Sequence, residues 1–265
     1  MSAPLPVSVV VVARNEAERL PRCLASVQGW VAEIVVALND TVDSSEAVAR
    51  SHGARIYHLV WQGYRDTKNA AMALAGHDWV LAIDADEVVS PELRRALTAF
   101  FARDDLGAFA GARFPRKAWF IDRWITHGDW YPDLSLRLFR RDRARWGGDP
   151  YVHEKVECDG PIADLDGDLH HHSFPDLASQ IDKINLFADL FVRQQQAQQG
   201  RFSLCSTVGR PLWRFFRSYV IKRGFLDGFP GLYIATVNAF GAFARYSRLY
   251  EAEHRPDPAA SRPQV

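Results

Sequence analysis

The sequence predicts an α/β fold built on a parallel β-sheet. Runs of β-branched residues without charges, such as 7–13, are typical of strands that are buried on both faces. Segments with apolar residues at helical spacing separate one such run from the next, and this alternation implies crossover connections between parallel strands. A chain of 265 residues, 48% of them hydrophobic, is long enough to bury a sizeable core.

The predicted elements follow one another regularly through the first third of the chain. We expect strands over residues 7–13, 33–38, 54–59 and 79–84. We expect helices between them over residues 16–27, 44–51 and 64–75. The pattern then loosens into a helix over 90–101, strands over 112–120 and 135–141, and a long amphipathic helix over 177–199.

Two carboxylates, Asp84 and Asp86, end the apolar run that starts at Trp79. In a strand, residues i and i+2 project to the same side, so both acids face one site if the extended geometry persists past Ile83. Paired acids at the carboxyl end of a parallel strand suit Mg²⁺ or Mn²⁺ that also holds substrate phosphates. The alternative is a solvated strand end followed by a helix cap at Ser90.

Composition bounds the setting of the protein. The formal net charge is zero, and three widely spaced cysteines argue against a zinc site or a disulfide framework. The first residues lack the pattern of a secretory signal, so we expect a cytoplasmic protein. Pro-rich residues after Glu253 are expected to be disordered.

The segment 201–250 differs from the rest of the chain because it holds eight Lys or Arg residues against one acid. Residues 210–225 mix arginines with aromatic side chains, which suits an interfacial helix on anionic lipid. The apolar run over 229–244 is too short and too interrupted for a confident transmembrane span. We expect peripheral attachment to the inner face of the cytoplasmic membrane; the alternative is an ordinary terminal helical subdomain.

Six motifs in order give the chain a family resemblance. They are Arg14–Asn15–Glu16 after the first strand, Asp84–Ala85–Asp86–Glu87, Trp130–Tyr131–Pro132–Asp133, Leu136–Arg137–Leu138–Phe139–Arg140, Val152–His153–Glu154–Lys155 and Arg223–Gly224–Phe225–Leu226–Asp227–Gly228. Together they resemble the family 2 glycosyltransferases, and among these the lipopolysaccharide core glucosyltransferases that modify inner-core heptose. The resemblance spans residues 7 to about 251.

The resemblance implies a GT-A fold, with a catalytic domain over residues 1–175. Its nucleotide-sugar half covers about 1–100 and its acceptor half about 101–175, followed by a helical, membrane-associating extension over 176–252 and a tail over 253–265. The implied activity is inverting transfer of a sugar, with UDP-glucose as the expected donor, onto a lipid-linked saccharide, with Mg²⁺ or Mn²⁺ as cofactor. No nucleic acid partner is expected.

The family pattern also assigns a nucleotide site. Arg14, Asn15 and Glu16 match the nucleotide-contacting turn, and Lys68 matches a basic residue near the diphosphate. The family ends its second strand with an Asp, where this chain has Leu38. Either Asn39 or Asp40 replaces that contact, or the donor base differs from uracil. Structural alternatives are an N-cap at Asn15 with Glu18 completing a capping box, and an exposed first-turn lysine at Lys68.

The family pattern divides the two acids at the metal site. Asp86 would touch the metal and Asp84 would lie toward the ribose, both within reach of the nucleotide sugar. Histidines 170–172 alternate sides in a strand, so they cannot all bind one ion. His171 matches a family histidine and would supply a third ligand or a phosphate contact.

Inverting transfer needs a general base, and two acids in family motifs are candidates. We favour Glu154 because flanking basic side chains would keep it ionised, and Asp133 would then position the acceptor. The structural alternative for Glu154 is an ion pair with Lys155 or Arg137.

Other functions fit parts of the sequence. Residues 84–88 also satisfy the pattern of haloacid-dehalogenase phosphatases, with Asp84 as nucleophile and Asp86 as acid/base, although about eighty residues of α/β structure precede them. A polyprenyl-phosphate glycosyltransferase is a further alternative. The basic aromatic segment could bind RNA, but the neutral net charge weighs against that.

Overall fold

The computed structural model describes residues 3–148, 154–172 and 177–255. The chain forms two compact units. Unit 1 comprises Met1–Ala118 and Asp133–His172, and unit 2 comprises Trp119–Pro132 and Ser173–Val265. Residues 119–132 therefore leave unit 1 and belong with the C-terminal helices, an exchange that a linear division of the chain does not anticipate.

The described part of unit 1 contains most of the strands, four α-helices and a short 3-10 turn at Leu106–Ala108. Its strands are β1 (Leu5–Ala13), β2 (Val31–Leu38), β3 (Arg55–His58), β4 (Trp79–Ala82), β5 (Glu87–Val89), β6 (Gly111–Phe120, whose last two residues belong to unit 2), β8 (Asp133–Arg140), β9 (Ala144–Gly147), β10 (Lys155–Cys158), β11 (Ile162–Asp164) and β12 (Leu169–His171). Its helices are α1 (Leu20–Val27), α2 (Ser45–Ser51), α3 (Tyr64–Ala73) and α4 (Pro91–Phe101).

The main sheet has the order β3-β2-β1-β4-β8-β6-β12-β5, and β11 also pairs with β6. The first four strands are mutually parallel, whereas β8 is antiparallel to both β4 and β6. β9 and β10 form a separate antiparallel pair. The predicted α/β class is confirmed, and the parallel portion coincides with the regular alternation of the first third.

The core covers both faces of the parallel strands. Val9 and Val11 pack on one face with α1 and α4, whereas Val10 packs on the other with α3 and Trp146. Burial on both faces explains the continuous apolar runs, because neither set of alternating side chains meets solvent.

The first helix begins later than its periodicity suggests. Asn15 adopts a left-handed backbone with φ of 56°, and its Oδ1 accepts a hydrogen bond from the Val42 amide at 2.9 Å. α1 consequently starts at Leu20, and Asn15 is not its N-cap. The predicted capping box is wrong because the side chain of Asn15 caps a neighbouring loop instead. The cap at Ser90 is confirmed, since its hydroxyl accepts from the Leu93 amide at 3.1 Å.

Unit 2 is mainly helical. It contains β7 (Arg123–Trp124), which pairs with the last residues of β6, and the helices α5 (Leu177–Ala197), α6 (Leu204–Phe216) and α7 (Gly228–His254). Short helical turns lie at Gly128–Trp130, Arg217–Ile221 and Gly224–Asp227. α7 includes the first residues of the predicted tail, and residues 256–265 lie outside the described part of the chain.

Asp227 links residues 119–132 to the helices of unit 2 through hydrogen bonds. This buried carboxylate accepts hydrogen bonds from the amides of Thr126 and His127 at 3.1 and 2.8 Å. It also accepts from the Thr126 hydroxyl at 2.8 Å and lies 3.1 Å from Nδ1 of His127. The single acid of the Arg223–Gly228 motif thus has a structural role inside unit 2, since it satisfies two partly buried backbone donors.

The solvent-facing side of α6 is apolar. Leu204, Val208, Leu212 and Phe216 recur every four residues and are all exposed, with Trp213 beside them. An amphipathic helix normally buries such a stripe, so this one is an exposed hydrophobic surface of the kind that marks an interaction site. A search of the described helices found none with the length and hydropathy needed to span a bilayer.

Candidate active site

The two acids of the Asp84–Glu87 segment occupy different surroundings. β4 ends at Ala82, and the Glu87 amide donates to the Asp84 carbonyl at 2.9 Å, which closes a turn. The extended geometry therefore stops before Asp84, and the argument from strand alternation does not hold for this pair. Asp84 faces Lys68 and Arg137, whereas Asp86 faces His171.

Lys68 joins two of the predicted site acids. Its Nζ lies 3.0 Å from Oδ1 of Asp84 and 3.1 Å from Oε1 of Glu154. The side chain of Lys68 is only 11% exposed, so it is not the exposed first-turn lysine of the structural alternative. Glu154 forms its ion pair with Lys68, which brings residues 84, 68 and 154 of the predicted site together.

Arg137 and Glu87 form the buried side of this cluster. The Arg137 Nη2 atom lies 2.8 Å from Oδ2 of Asp84 and 2.9 Å from Oε1 of Glu87. Glu87 is fully buried, and its Oε2 accepts from the Asp84 amide at 2.8 Å. Arg116 approaches the same carboxylate at 3.5 Å. Glu87 thus fixes the turn that presents Asp84, a role that motif reasoning missed.

The cations determine the ionisation of Asp84. Burial alone would raise the pKa of this carboxyl, but Arg137 and Lys68 hold the pKa of Asp84 well below its usual range. Burial likewise opposes the charge on Arg137, while Glu87 and Asp84 raise the pKa of that guanidinium. Asp84 is therefore an ionised acceptor between two cations at neutral pH.

Trp146 and Asn69 support the position of Lys68. The Asn69 amide donates to the Trp146 carbonyl and accepts from the Trp146 amide, both at 2.9 Å, which ties β9 to α3. The Lys68 Nζ atom lies 4.5 Å from the centroid of the Trp146 ring, a cation–π distance.

Asp86 and His171 form the second half of the predicted metal site. Oδ2 of Asp86 lies 3.5 Å from Nε2 of His171, and both side chains are mostly buried. Burial opposes the charge of Asp86, but the hydrogen bond and charge of His171 lower the pKa of Asp86 below its usual value. The His172 amide donates to the Asp86 carbonyl at 3.0 Å, so β12 holds the turn in place.

No cluster of three or more His, Cys, Asp or Glu side chains with metal-binding geometry occurs among residues 3–148, 154–172 and 177–255. Asp84 directs both oxygens at cations rather than joining Asp86 and His171. A carboxylate and an imidazole are nevertheless suitable ligands for Mn²⁺, and two protein ligands leave positions for phosphate oxygens.

The predicted nucleotide residues cluster where β1 and β2 end. The Glu16 amide donates to the Ser45 hydroxyl at 2.8 Å, and burial raises the pKa of the Glu16 carboxyl against the influence of Arg19. Arg14 and Asp40 are exposed, while Asn39 is buried and its amide donates to the Ala13 carbonyl at 3.2 Å. These loops are thus linked to each other at the carboxyl edge of the sheet.

Unit 1 contains a cleft of about 530 Å³, and Arg116 on its wall binds the carboxylate of Asp133 at 2.7 Å. The cleft walls include Lys68, Asp84 and Glu154. A cavity of this size suits a small-molecule ligand. The strand-like residues 151–152 and His153 lie outside the described part of the chain.

Comparison with known proteins identifies the family. The Glycosyl transferase family 2 model matches residues 8–154, more than half of the chain. The chain belongs to this family.

The individual relatives share less than a third of their residues with this chain. An uncharacterized glycosyltransferase of Rickettsia typhi is 27% identical over 255 residues, which cover 92% of this chain and 87% of that protein. The lipopolysaccharide core biosynthesis glycosyltransferase LpsC of Rhizobium meliloti is 27% identical over 253 residues, or 93% of each protein. The structure of S. aureus TarS 1-349 aligns with 92% of this chain and 82% of that one, at 15% identity and a TM-score of 0.46.

Family membership, together with the mixed sheet, confirms the predicted GT-A fold and the transferase class. It also decides against the phosphatase interpretation of Asp84 and Asp86, because the family match begins at residue 8 and includes the whole α/β region that precedes them.

Asp84→Asn is expected to lower the free energy of unfolding by roughly 2 kcal/mol at neutral pH, because it leaves two cations facing a neutral amide. The folded pKa of Asp84 lies below its unfolded value. Stability from the ionised carboxylate is thus complete above about pH 5 and is lost as pH falls below about 4.

Urea denaturation at pH 7, 5 and 3 measures this effect as the difference between wild type and variant. The exposed Asp104 provides the control substitution Asp104→Asn. A difference that stays constant between pH 7 and pH 3 would contradict the assignment of Asp84 as the partner of Lys68 and Arg137.

Proposed function

We propose that the protein is an inverting, metal-dependent hexosyltransferase that moves a sugar from a nucleoside diphosphate donor to a lipid-linked saccharide. The observation that carries the proposal is the ion-pair chain Arg137–Asp84–Lys68–Glu154 beside the cleft of unit 1. It places Lys68, a cation that suits phosphate oxygens, next to Glu154, an acid that can abstract a proton. The family to which the protein belongs uses both functions.

The donor would bind at the carboxyl edge of the parallel strands. Two linked loops lie there. One carries the exposed Arg14 and the half-buried Glu16, and the other carries the buried Asn39 and the exposed Asp40. UDP-glucose is the donor we favour on family grounds. Leu38 stands where the family has an Asp, so backbone groups of the Asn39–Asp40 loop would read the base.

Asp86 and His171 would hold the divalent metal. A bound Mg²⁺ or Mn²⁺ would stabilise the negative charge that develops on the departing diphosphate. Asp84 would remain paired with Lys68, whose ammonium lies 3.0 Å away, and the lysine would orient this carboxylate toward the ribose.

Glu154 would act as general base and Asp133 would position the acceptor. Glu154 is 19% exposed, so its carboxylate lies partly in the cleft and partly against Lys68. Asp133 is held by Arg116 at the start of β8 and is more exposed, which suits contact with acceptor hydroxyls.

A lipid-linked acceptor is supported by the exposed apolar face of α6. Leu204, Val208, Leu212 and Phe216 would enter the lipid interface, and the exposed Arg223 would meet anionic headgroups. The relative named for lipopolysaccharide core biosynthesis favours an inner-core saccharide over polyprenyl phosphate as acceptor. The protein would then work at the inner face of the cytoplasmic membrane.

Asp86→Ala and His171→Gln are expected to weaken Mn²⁺-dependent UDP binding about tenfold or more, because each removes a metal ligand. Calorimetry with UDP, with MnCl₂ and with chelator, gives the affinities. His170→Gln is the matched control, since it changes the neighbouring histidine in the same strand. If wild type binds UDP with the same affinity with MnCl₂ and with chelator, Asp86 and His171 do not hold a metal that contributes to UDP binding.

Glu154→Gln is expected to lower kcat by about 10²–10⁴ while UDP affinity stays unchanged, because only proton abstraction is lost. Turnover with UDP-glucose is measured on a truncated inner-core saccharide and, separately, on polyprenyl phosphate. Glu157→Gln, at an exposed position of β10, is the control. A kcat within about threefold of wild type would exclude Glu154 as the base.

Leu212→Ser together with Phe216→Ser is expected to reduce flotation with anionic vesicles about tenfold or more, because two exposed apolar side chains no longer enter lipid. Val60→Ser removes an equally exposed apolar group from unit 1 and should leave flotation unchanged. Flotation unaffected by the α6 substitutions would favour a packing role for this face.

A further inference from the structure

Unit 2 contains a cavity of about 200 Å³ between α5, α6 and α7. Arg214 of α6 and Arg245 of α7 line it, together with Gln180 of α5 and Asn238 of α7. Ile184 and Phe187 of α5 contribute apolar wall. The cavity is separate from the cleft of unit 1, and nothing in the proposed glycosyl transfer uses it.

The two arginines have no acidic partner among the described side chains. Neither Arg214 nor Arg245 forms an ion pair with a side chain in the described ranges, and both are partly buried. Burial and the nearby charge of Arg214 lower the pKa of Arg245. By contrast, Arg248, one turn further along α7, binds Asp189 at 3.0 Å. Two guanidiniums that share a cavity without a counter-ion repel each other, which costs stability unless an anion joins them.

Gln180 supplies an independent sign of a missing ligand. Its side chain is 6% exposed, and its Oε1 accepts no hydrogen bond within the described part of the chain. A buried amide oxygen without a donor costs free energy, so a hydroxyl that donates to it would be favourable. The amide of Asn238 offers a further polar contact on the same wall.

We propose that this cavity binds a phosphate group on a hydroxylated headgroup, with Arg214 and Arg245 holding the phosphate and Gln180 accepting from a hydroxyl. Two N–H groups of one guanidinium can donate to two oxygens of one phosphate at the same time. A phosphate presents three or more oxygens in tetrahedral directions, so it can serve two arginines that approach from different helices.

The shared chemistry is a phosphate ester with a neighbouring hydroxyl, from either a soluble sugar or glycerol phosphate or the headgroup of a membrane lipid. Thermal unfolding in inorganic phosphate, against chloride of equal ionic strength, tests the site directly. At ten times its Kd, phosphate is expected to raise the Tm of wild type by about 3 °C.

Arg214→Gln and Arg245→Gln are expected to abolish the phosphate-dependent shift, and Arg245→Lys to reduce it by loss of the paired N–H donors. Arg210→Gln, one turn earlier on α6 at an exposed position, is the matched control and should keep the full shift. Circular dichroism checks that each variant is folded. In chloride alone, the Gln variants should be at least as stable as wild type, because the like-charge repulsion is relieved.

The two sources are separated with glycerol 3-phosphate and with vesicles of phosphatidylcholine that contain phosphatidic acid. If the phosphate belongs to a lipid, Arg245→Gln weakens vesicle flotation more than Arg210→Gln does. If it belongs to a soluble molecule, both variants float equally well, and only Arg245→Gln loses binding of glycerol 3-phosphate. No phosphate-dependent shift in wild type, or the same shift in the Arg214 and Arg245 variants, overturns the proposal. Neither readout requires glycosyl transfer, so this outcome is independent of the proposed activity.

Discussion

The burial of Glu87 against Arg137 is the interaction on which the rest of the candidate site depends. A fully buried carboxylate is tolerated only with compensating hydrogen bonds and charge, and Arg137 and the Asp84 amide supply both. Because Arg137 then has a fixed position, its second contact determines where the Asp84 carboxylate lies. Lys68 binds that carboxylate and extends the chain of charges to Glu154. Residues from a turn, two other elements and a distant segment are thereby held in one arrangement.

The Asp84–Asp86 pair shows how two acids one residue apart acquire different chemistry. The turn at residues 84–87 directs Asp84 between two cations and Asp86 toward an imidazole on β12. The first carboxylate is neutralised by two fixed protein cations, whereas the second contacts an imidazole that is charged only when protonated, with Arg19 as a weaker influence. Of the two, Asp86 is therefore the acid with room for a second positive charge.

Element positions followed from the sequence because they depend on local patterns. Strands β1 to β4, β6 and β8 were predicted within two residues at each end, since apolar runs and helical spacing are properties of neighbouring residues. The short strands β5 and β9 to β12 were not predicted, because three or four residues carry too little pattern. Pairings across long separations were not predictable in this way: Lys68 meets Glu154 across 86 positions, and Asn15 caps a loop instead of its own helix. A charged residue such as Arg137 within an otherwise apolar strand was the available signal that a buried partner must exist, but not which one.

Residues 119–132 belong with the C-terminal helices, and this limits how chimaeras between family members can be made. Asp227 supplies the acceptors for the amides of Thr126 and His127, so the C-terminal helices and this loop share hydrogen bonds that neither satisfies alone. A chimaera that takes only the segment after residue 172 from a relative would join a foreign carboxylate to a native loop. The transferable module is discontinuous: it consists of two pieces of chain, residues 119–132 and the segment after residue 172, that must be replaced together.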